Sequence, residues 1–400
     1  MKILMVNKFL FPKGGAESYV LQLGAALQAQ GHEVQYFGMD HPARVVGNCA
    51  HAYTTNMDFH GGSKLRKLAY PLRIIYSTEA RRKIRKVLDQ FRPDVCHLNN
   101  FNYQLTPSIL LEIRKWERET GCHCKIIYTA HDPQLVCPNH MCMNPVTGEL
   151  CQKCLRGKYR SCVKGRCIHG SLVRSMLGTL ESAFWHRIGI YCELDAVVCC
   201  SQTIRALLDN DPVLAEKTVV LHNFLDMKKR TPAKKQNYVL YFGRYAKEKG
   251  VETLVEAAKT LPHIPFVFAG GGPLEHLLKD VANITNVGFQ TGEALHKLIA
   301  EAKLSVIPSR WYENCPLSVM ESIGLGTPVL GADIGGIPEL IRHRVTGELF
   351  APGETEQLAE KIAALWANDE TLAHYTKNCV PDEFDTAEAY IEKIMVYYGG

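Results

Sequence analysis

The stretch from Ser309 to Leu340 reads SRWYENCPLSVMESIGLGTPVLGADIGGIPEL. A short apolar, β-prone segment, Lys303–Ile307, comes before it, and Pro308 ends that segment as a strand that opens into a loop and then a helix. Open α/β sheets bind their ligands at such loop-to-helix corners, which lie at the carboxyl ends of parallel strands. The stretch therefore predicts both an α/β fold and the place of a ligand site within it.

Two glutamates in this stretch, Glu313 and Glu321, stand eight positions apart. Eight positions on a helix turn through about 800°, roughly two turns with a small offset, so both carboxylates are expected to border one site. The glycines that follow, Gly324, Gly326 and Gly335-Gly336, allow close backbone approach with free N–H groups. Glutamates at this interval also occur by chance in long helices, so the other motifs of the chain decide their meaning.

The composition is that of an ordinary soluble protein, with 46% hydrophobic and 22% charged residues. The formal net charge of +5 is mild for 400 residues, so it gives no reason to expect a nucleic-acid partner. No apolar run approaches the ~20 residues of a membrane span, and Met1–Phe11 carries Lys2 and Lys8 without a signal-cleavage site. We therefore expect this segment to be a first β-strand and the protein to remain in the cytoplasm.

The first half alternates apolar strands with helical patterns, which predicts a parallel, doubly wound sheet. After the continuous apolar run Ile3–Val6, Gly14 and Gly15 open a helix that Gly31 ends. The N-terminus of that helix can receive an anion, with a plain tight turn as the alternative. Further strands are predicted at Val34–Phe37, Asp94–Leu98, Ile126–Thr129, Asp195–Cys200 and Thr218–Leu221.

A histidine, His131, comes just after the Ile126–Thr129 strand. At the carboxyl end of a strand its imidazole can hydrogen-bond a sugar hydroxyl or shield developing charge. A structural role in the core is the alternative for any single histidine, but its position favours the functional interpretation.

The segment from Lys64 to Lys86 contains nine Lys or Arg residues, and Glu79 is its one carboxylate. Apolar residues interspersed near helical spacing predict one or two basic amphipathic helices. One interpretation is docking on anionic lipid, where the acceptor of a membrane-associated enzyme lies. The other is a solvated helix face.

Fifteen cysteines ordinarily indicate a secreted disulfide scaffold, but a chain of this length without an export signal is expected to keep them reduced. Six of them lie in an insertion, about 137–167, which is expected to bury little core and to need a staple. No activating carboxylate accompanies them, so no catalytic metal is predicted. The alternatives are loop cysteines without metal and a structural Zn²⁺ site, for which Cys151, Cys154, Cys162 and Cys167 fit best and Cys137 and Cys142 compete.

A polar, basic stretch, 227–237, is predicted to link the first half to a second αβ series. The strand Tyr238–Phe242 leads into the loop GRYAKEKG at 243–250. Within that loop Arg244 and Lys249 place a guanidinium and an ammonium beside a helix N-terminus, an arrangement that suits a diphosphate. The series continues with the helix Val251–Lys259, the strand Pro265–Ala269 and a closing helix, Phe384–Tyr398.

Taken in order, these motifs resemble those of the GT-B glycosyltransferases of the retaining family 4, also called glycosyl transferases group 1. The resemblance is close over about Tyr238–Phe350 and looser over the first half, and it does not extend to the cysteine insertion. The matching set comprises Gly14-Gly15, His131, the loop from Arg244 to Lys249, the triple glycine 270–272, Glu313 with Glu321, and Gly336-Ile-Pro-Glu339.

The resemblance implies two Rossmann-like, doubly wound domains that face a cleft. Residues 1–230 would form the N-terminal, acceptor-binding domain, which contains the Cys-rich insertion and receives the helix 384–398 back from the C-terminus. Residues 231–383 would form the C-terminal domain that binds the nucleoside-diphosphate-sugar. Catalysis is expected to need no cofactor, so a zinc ion would be structural.

The resemblance also implies roles for single residues. Arg244 and Lys249 match the pair that neutralises the leaving diphosphate, a task that a metal ion performs in other transferases. Asn314-Cys315-Pro316 stands where the family often has Gly-Phe-Gly, and proline has no N–H to donate. The remaining implied contacts are Glu313 with the donor sugar, His131 near its anomeric side, Glu321 with the ribose, and donor-binding backbone at Gly14, Gly15, Gly243, Gly271, Leu317 and Ser318.

We therefore expect a hexosyltransferase that moves a sugar, with retention, to a hydroxyl of a glycan or lipid-linked glycan in cell-surface polysaccharide or glycolipid biosynthesis. Such an enzyme would work in the cytoplasm, peripherally on the inner face of the cell membrane. A non-hydrolysing nucleotide-sugar epimerase on the same fold is one alternative, and acceptor-independent conversion of the donor would reveal it. A non-catalytic zinc or nucleic-acid binding module is the other, although the chain lacks basic strands interleaved with aromatic residues.

Overall fold

The computed structural model describes residues 1–56, 70–227 and 233–399. The chain divides into two compact units: unit 1 contains Met1–His222 and Ala387–Gly400, and unit 2 contains Asn223–Thr386. The domain boundary predicted at residue 230 lies outside the described residues. None of the helices in the described part combines the length and the apolar character that crossing a membrane requires.

Unit 1 is built on a six-stranded sheet with the order β2-β1-β3-β4-β5-β6, in which every neighbouring pair is parallel. All six strands predicted for this half are confirmed, with small differences at their ends. The inner strands β3 and β5 are buried along their whole length, because helices cover both faces of a parallel sheet. The strands are β1 Lys2–Val6, β2 Glu33–Phe37, β3 Val95–Leu98, β4 Lys125–Ala130, β5 Ala196–Cys199 and β6 Thr218–Val220.

Three helices of unit 1 begin after a serine whose side chain caps them. Ser77, Ser171 and Ser201 each accept a hydrogen bond from the backbone N–H three residues later. The helices are α1 Gly15–Ala29, α2 Tyr70–Ile75, α3 Thr78–Phe91, α4 Ser108–Thr120, α5 Arg160–Lys164, α6 Leu172–Arg187, α7 Gln202–Leu208 and α8 Pro212–Ala215, with a 3-10 helix at Ile190–Glu193.

Unit 2 has its own six-stranded parallel sheet, with the order β12-β11-β10-β7-β8-β9. The strand order reverses between β7 and β10, and open α/β sheets bind ligands outside the carboxyl ends of the strands at such a switch point. The strands are β7 Val239–Arg244, β8 Phe266–Gly271, β9 Ile284–Gly288, β10 Leu304–Ile307, β11 Val329–Ala332 and β12 Gly347–Phe350. The three strands predicted here, β7, β8 and β10, are confirmed.

The helices of unit 2 include one predicted from the sequence with the same ends, α9. The helices are α9 Val251–Lys259, α10 Gly292–Glu301, α11 Leu317–Gly324, α12 Ile337–Leu340, α13 Thr355–Trp366 and α14 Asp369–Asn378, with 3-10 helices at Lys247–Lys249, Glu275–Leu278 and Pro381–Glu383.

The last helix, α15 at Ala387–Tyr398, belongs to unit 1 and begins three residues later than predicted. Its Tyr390 hydroxyl lies 2.7 Å from the hydroxyl of Tyr19, and its Tyr398 hydroxyl lies 2.6 Å from Nδ1 of His97. Buried tyrosines need such partners for their polar ends. These contacts fix the helix on α1 and on the sheet.

The cysteine insertion is better packed than its composition predicts. Cys151 is half-buried, and the other five cysteines of the insertion are buried. Cys154, Cys162 and Cys167 pack with Tyr159 in one apolar cluster. The expectation that this segment buries little core is therefore wrong, because reduced thiols pack as small hydrophobic side chains.

Candidate functional site

The loop after β7 is held against the end of β10 through a glycine. Gly250 has φ +71°, and a Cβ atom there would stand 1.7 Å from the carbonyl oxygen of Pro308. Both the contact and the left-handed backbone exclude a side chain at this position. The amide of Arg310 also donates to the carbonyl of Glu248 at 2.9 Å. The switch point of unit 2 thus brings two loops together that are far apart in sequence.

Lys249 and Glu313 meet at this switch point, with Nζ 2.6 Å from Oε1. The hydroxyl of Ser309 donates to the same oxygen at 2.6 Å, and the ammonium lies 5.3 Å from the ring centroid of Trp311. Burial alone would raise the pKa of Glu313, but Lys249 and Ser309 hold that pKa below its ordinary value. Glu313 is therefore ionised at neutral pH and compensates the Lys249 cation.

The second predicted cation, Arg244, ends β7 and is largely exposed. Its guanidinium pairs with the carboxylate of Glu248, four residues later. An ion pair with one exposed partner contributes little to stability, so the pair with Glu248 is easily broken. A guanidinium also binds a phosphate group through two parallel hydrogen bonds. Arg244 can therefore exchange Glu248 for a phosphate group at small cost.

Glu313 lies in the loop before α11, not on the helix. Since α11 begins at Leu317, the helical-spacing argument that joined Glu313 to Glu321 is wrong. Pro316 precedes the helix and no side chain caps it, so the amides of Leu317 and Ser318 have no acceptor within the helix. Free amides in a first turn are the donors that an anion binds.

A glycine pair supports the loop that carries Glu313. Gly335 has φ +62°, and a Cβ atom there would lie 2.3 Å from the Glu313 carbonyl oxygen. The amide of Gly336 donates to that oxygen at 2.7 Å. The close backbone approach predicted for these glycines is therefore an approach to the Glu313 backbone, which it holds in place.

Glu321 lies on α11, and its carboxylate has no ion pair or hydrogen bond within the described residues. Burial raises the pKa of Glu321 to about 7. A half-buried carboxyl group without a partner is a candidate acceptor for the hydroxyl groups of a ligand.

The two donor-binding glycines predicted in unit 2 lie at neighbouring strand ends. Gly243 is in β7, and Gly271 ends β8 in register with Arg244.

In unit 1 the predicted glycines stand at the carboxyl edge of the sheet. Gly14 precedes α1, which begins at Gly15, and no side chain caps this helix. Asn7 donates to Oε1 of Glu17 at 3.4 Å and accepts from the amide of Asn100 at 3.0 Å. Asn7 thereby joins the loops that follow β1 and β3 beside the open first turn of α1.

His131 follows β4 at the same edge. Its Nε2 donates to Oδ1 of Asn99 at 2.8 Å, and its ring meets that of Tyr19 edge to face at 5.0 Å between centroids. Burial lowers the pKa of His131 to about 4, with Asp132 opposing and Lys8 adding to this effect. The imidazole is therefore neutral at pH 7, which favours its hydrogen-bonding role over that of a fixed positive charge.

Two family models match the chain. The model described as Glycosyltransferase Family 4 matches residues 13–229, which is more than half of the chain, and the model described as Glycosyl transferases group 1 matches residues 223–379. The chain belongs to glycosyltransferase family 4. The family resemblance inferred from the motifs is thereby confirmed.

This family 4 chain spans only about half of the length of the curated relatives that it matches. It is 35% identical to α-D-kanosaminyltransferase of Streptomyces kanamyceticus in an alignment of 156 positions that covers 36% of this chain and 40% of that protein. It is 26% identical to O-antigen chain mannosyltransferase C of Escherichia coli in an alignment of 214 positions that covers 50% of this chain and 57% of that protein.

Solved structures match the whole of the family 4 chain. Sucrose-phosphate synthase from Thermosynechococcus elongatus aligns over 100% of this chain and 98% of its own, with a TM-score of 0.72 and 19% identity. Anabaena Alr3699/HepE in complex with UDP aligns over 100% of both chains, with a TM-score of 0.68 and 19% identity. At these identities the likeness shows the fold alone, and the predicted α/β fold of the GT-B class is confirmed.

Several polar residues that accompany the candidate site residues of each unit were not predicted from the sequence. Ser309 and Glu248 partner the predicted charges of unit 2, and Asn7, Lys8 and Asn99 surround the predicted residues of unit 1. Each follows closely on the end of β1, β3, β7 or β10. That position is the signal by which they can be found, since the carboxyl ends of parallel strands share one edge of a sheet.

The predicted zinc site is not assembled among the described residues, which hold no group of three or more His, Cys, Asp or Glu side chains suited to a metal ion. A structural zinc stays a prediction that the zinc content of the purified protein tests. The predicted ligands are Cys151, Cys154, Cys162 and Cys167, with Cys137 and Cys142 as competitors.

Of the predicted basic segment 64–86, residues 64–69 lie outside the described part of the chain. On α3, Arg81 pairs with Glu112 at 2.6 Å, and Arg85 pairs with Glu119 at 2.5 Å. Carboxylates of α4 therefore compensate part of the charge of this segment. Its contact with anionic lipid stays a prediction.

Proposed function

We propose that this family 4 chain is a retaining, metal-independent hexosyltransferase that moves a sugar from a nucleoside-diphosphate-sugar to an acceptor hydroxyl. The observation that carries the proposal is the switch point of unit 2, where Lys249 pairs with the buried Glu313 and Arg244 lies on the same loop. The two cations supply the positive charge that a diphosphate needs, and Glu313 lies in the loop that leads into the uncapped helix α11, whose first amides supply hydrogen-bond donors.

In this proposal Arg244 and Lys249 stabilise the leaving group. Cleavage of the sugar–phosphate bond places additional negative charge on the nucleoside diphosphate, and fixed cations lower the energy of that state. Each cation has a carboxylate partner in the free protein, so the diphosphate replaces Glu248 at Arg244 and competes with Glu313 for Lys249. The two side chains thereby supply the charge that a metal ion supplies in other transferases.

The two glutamates hold different parts of the donor. Glu321, which has no protein partner among the described residues, accepts hydrogen bonds from the ribose hydroxyls when it is ionised. Glu313 remains ionised at neutral pH and contacts hydroxyls of the donor sugar. The amides of Leu317 and Ser318 donate hydrogen bonds to oxygen atoms of the donor, because Pro316 has no N–H to donate.

We assign the acceptor to unit 1, with neutral His131 as a hydrogen-bond partner of a sugar hydroxyl. Asp132, the neighbouring carboxylate, already accepts from the amide of Gln134 at 2.8 Å and lies 3.8 Å from Nδ1 of His140. It is therefore poorly placed to act as a nucleophile. Retention would then follow from front-face attack, in which the departing phosphate receives the proton of the acceptor hydroxyl, as is proposed for the family.

The names of similar proteins suggest which substrates to test first. Anabaena Alr3699/HepE was solved with UDP and with UDP-glucose. The names of O-antigen chain mannosyltransferase C and of the amylovoran biosynthesis glycosyltransferase AmsK refer to polysaccharides. We propose a UDP-sugar as the first donor to test, a glycan or lipid-linked glycan of the cell surface as the acceptor, and a location on the cytoplasmic face of the membrane.

Titration calorimetry with UDP, GDP and ADP tests the donor site, with Arg244→Ala and Lys249→Ala as variants. Lys247→Ala is the matched control, because Lys247 lies in the same 3-10 helix as Lys249 and is exposed. We expect one nucleotide to bind the wild type and the control, and to bind both variants at least about tenfold more weakly. Absence of binding by all three nucleotides would remove the site assignment.

A turnover assay distinguishes glycosyl transfer from epimerisation of the donor sugar. We expect release of nucleoside diphosphate to require an acceptor, and the anomeric coupling constant of the product to match that of the donor. Conversion of the donor sugar without any acceptor would identify an epimerase on this fold instead. An inverted product would contradict the front-face mechanism.

A further inference from the structure

The helix α6 buries one face against unit 1 and exposes large apolar side chains on the opposite face. On the inner face Ser175, Gly178 and Trp185 are buried, and the indole N–H of Trp185 donates to the carbonyl of Ile75 at 2.9 Å. A surface helix of a globular protein normally carries polar residues on its other face. Here that face carries exposed large apolar side chains, called the outer stripe: Leu172, Val173, Met176, Leu180, Phe184 and, just after the helix, Ile188.

The outer stripe is continuous and lies opposite the packed face. Met176, Leu180 and Phe184 follow one another at intervals of four residues. Each interval is one helical turn plus about 40°, so neighbouring side chains of the stripe lie next to one another on the helix surface. Leu180 stands about 200° from the buried Ser182 on the helix. Six of the thirteen exposed large apolar side chains in the described residues lie within 172–188. The stripe is therefore a patch and not the usual scatter of single exposed side chains.

The surface around the outer stripe is basic. Residues 150–192 contain one carboxylate, Glu181, and it is buried. None of the Lys and Arg side chains of this segment forms an ion pair within the described residues, whereas Arg85 of α3 pairs with Glu119. The eight cations are all exposed: Lys153, Arg156, Lys158, Arg160, Lys164, Arg166, Arg174 and Arg187.

Hydrogen bonds fasten the cysteine insertion, which carries six of these cations, to α6. The amide of Ile168 donates to Oγ of Ser175 at 3.0 Å, and Oγ1 of Thr179 donates to the carbonyl of Tyr159 at 3.0 Å. The short helix α5 also packs directly on α6. The cations and the outer stripe therefore belong to one packed substructure of unit 1.

We infer that the outer stripe and these eight cations form a docking surface for an anionic lipid bilayer. Apolar side chains enter the boundary between headgroups and acyl chains while Lys and Arg attract anionic headgroups, as in helices that lie in the plane of a membrane interface. A second copy of this chain fits the surface poorly, because a twofold axis would bring the same basic insertion of both copies together. The inference deepens the membrane location given in the proposed function and rests on it in that respect, but its test requires neither donor nor acceptor.

Sedimentation with lipid vesicles tests this surface. The protein should bind vesicles that contain phosphatidylglycerol and phosphatidylcholine, bind pure phosphatidylcholine weakly, and release as the salt rises from about 0.1 M to about 1 M. The double variant Leu180→Ser, Phe184→Ser should lower the bound-to-free ratio at least about tenfold. Phe289→Ser is the matched control, because it removes a phenylalanine of unit 2 that is 80% exposed and should leave binding unchanged.

A second variant, Arg160→Glu with Lys164→Glu, keeps the test valid if the apolar variant misfolds, and it should abolish the preference for anionic vesicles. The inference is overturned if the wild type ignores anionic vesicles, if it binds neutral vesicles equally well, or if both double variants bind like the wild type. A concentration-dependent dimer that Leu180→Ser, Phe184→Ser dissolves would assign the stripe to a second copy instead. Nucleotide binding should be unchanged in all these variants, so failure here is distinct from failure of the donor site.

Discussion

The variant Lys249→Ala perturbs the charge balance at the switch point of unit 2. It leaves Glu313, which is 6% exposed, without the cation that stands 2.6 Å from its Oε1. The hydroxyl of Ser309 remains as a hydrogen-bond donor to that oxygen. We expect a loss of stability that depends on pH, because it depends on the charge of one carboxyl group.

The size of the loss follows from burial. Removal of one partner from a fully buried ion pair costs about 3–5 kcal/mol. The Lys249 side chain is 28% exposed, so solvent already screens part of the interaction. We therefore expect a decrease of about 2 kcal/mol in the free energy of unfolding near neutral pH. Adding Glu313→Gln removes the unpaired charge and should recover part of this loss, whereas Lys247→Ala should stay within about 0.5 kcal/mol of the wild type.

The pH dependence has a definite sign. In the wild type the folded pKa of Glu313 is lowered, so its contribution is complete above the unfolded pKa and is lost as the pH falls through the folded pKa. Without Lys249, burial dominates and the folded pKa should rise above the ordinary value. The variant then loses stability as the pH rises above the unfolded pKa of about 4.3. The difference between the two proteins should be small near that pH and reach its full size near neutral pH.

Urea unfolding of both proteins, followed by far-UV circular dichroism and tryptophan fluorescence from about pH 4.5 to about pH 7.5, measures this difference. Lys247→Ala is unfolded in parallel as the control from the same turn. A loss of equal size at every pH would refute the electrostatic explanation. An equal loss in Lys247→Ala would show that the turn, and not the ion pair, is responsible.

Three further predictions concern single residues. Because burial raises the pKa of Glu321 to about 7, nucleotide affinity measured by calorimetry should fall as the pH drops below that value, and Glu321→Gln should make the profile flat. Gly250→Ala should cost at least about 2 kcal/mol in urea unfolding, because its Cβ atom meets a carbonyl oxygen at 1.7 Å. Gly288→Ala, with φ +69° and open space around it, should cost only about 1 kcal/mol. Tyr398→Phe removes a hydrogen bond to a buried histidine and should lower stability in thermal unfolding by about 1–2 kcal/mol. A flat wild-type profile, equal losses at the two glycines, or an unchanged thermal midpoint would contradict the respective prediction.

The sequence by itself determined the strands of the first sheet, half of those of the second, and the sheet edges at which the candidate sites lie. Strands covered on both faces must be continuous apolar runs, and Ile3–Val6 or Leu304–Ile307 satisfy this condition locally. The strands β9, β11 and β12 were not predicted, because their short sequences ITNVG, VLGA and GELF each contain a glycine and no long apolar run. Arg244, Lys249 and His131 could be predicted as candidate site residues because strand ends can be located without any knowledge of tertiary contacts.

Tertiary structure decided how the site residues combine. Lys249 and Glu313 lie 64 positions apart, and only the crossover between β7 and β10 brings their side chains into contact. The helical spacing assumed for Glu313 and Glu321 is wrong because the helix begins after Pro316, which leaves Glu313 in the loop. The glycine pattern near Gly335 was visible in the sequence, but its contact with the Glu313 backbone was not.

The charge states of the site residues and the exposed apolar surface could be assigned only from the tertiary structure. The sequence contains Glu313, Glu321 and His131 without any sign that their pKa values are shifted in different directions. It likewise contains the apolar residues of α6, but it does not show which face of that helix the rest of unit 1 covers. A local pattern is set by neighbours a few positions away, and it suffices for strands, helices and turns. Burial and ion pairing depend on atoms that distant segments bring together, so they exist only once the sheets have formed.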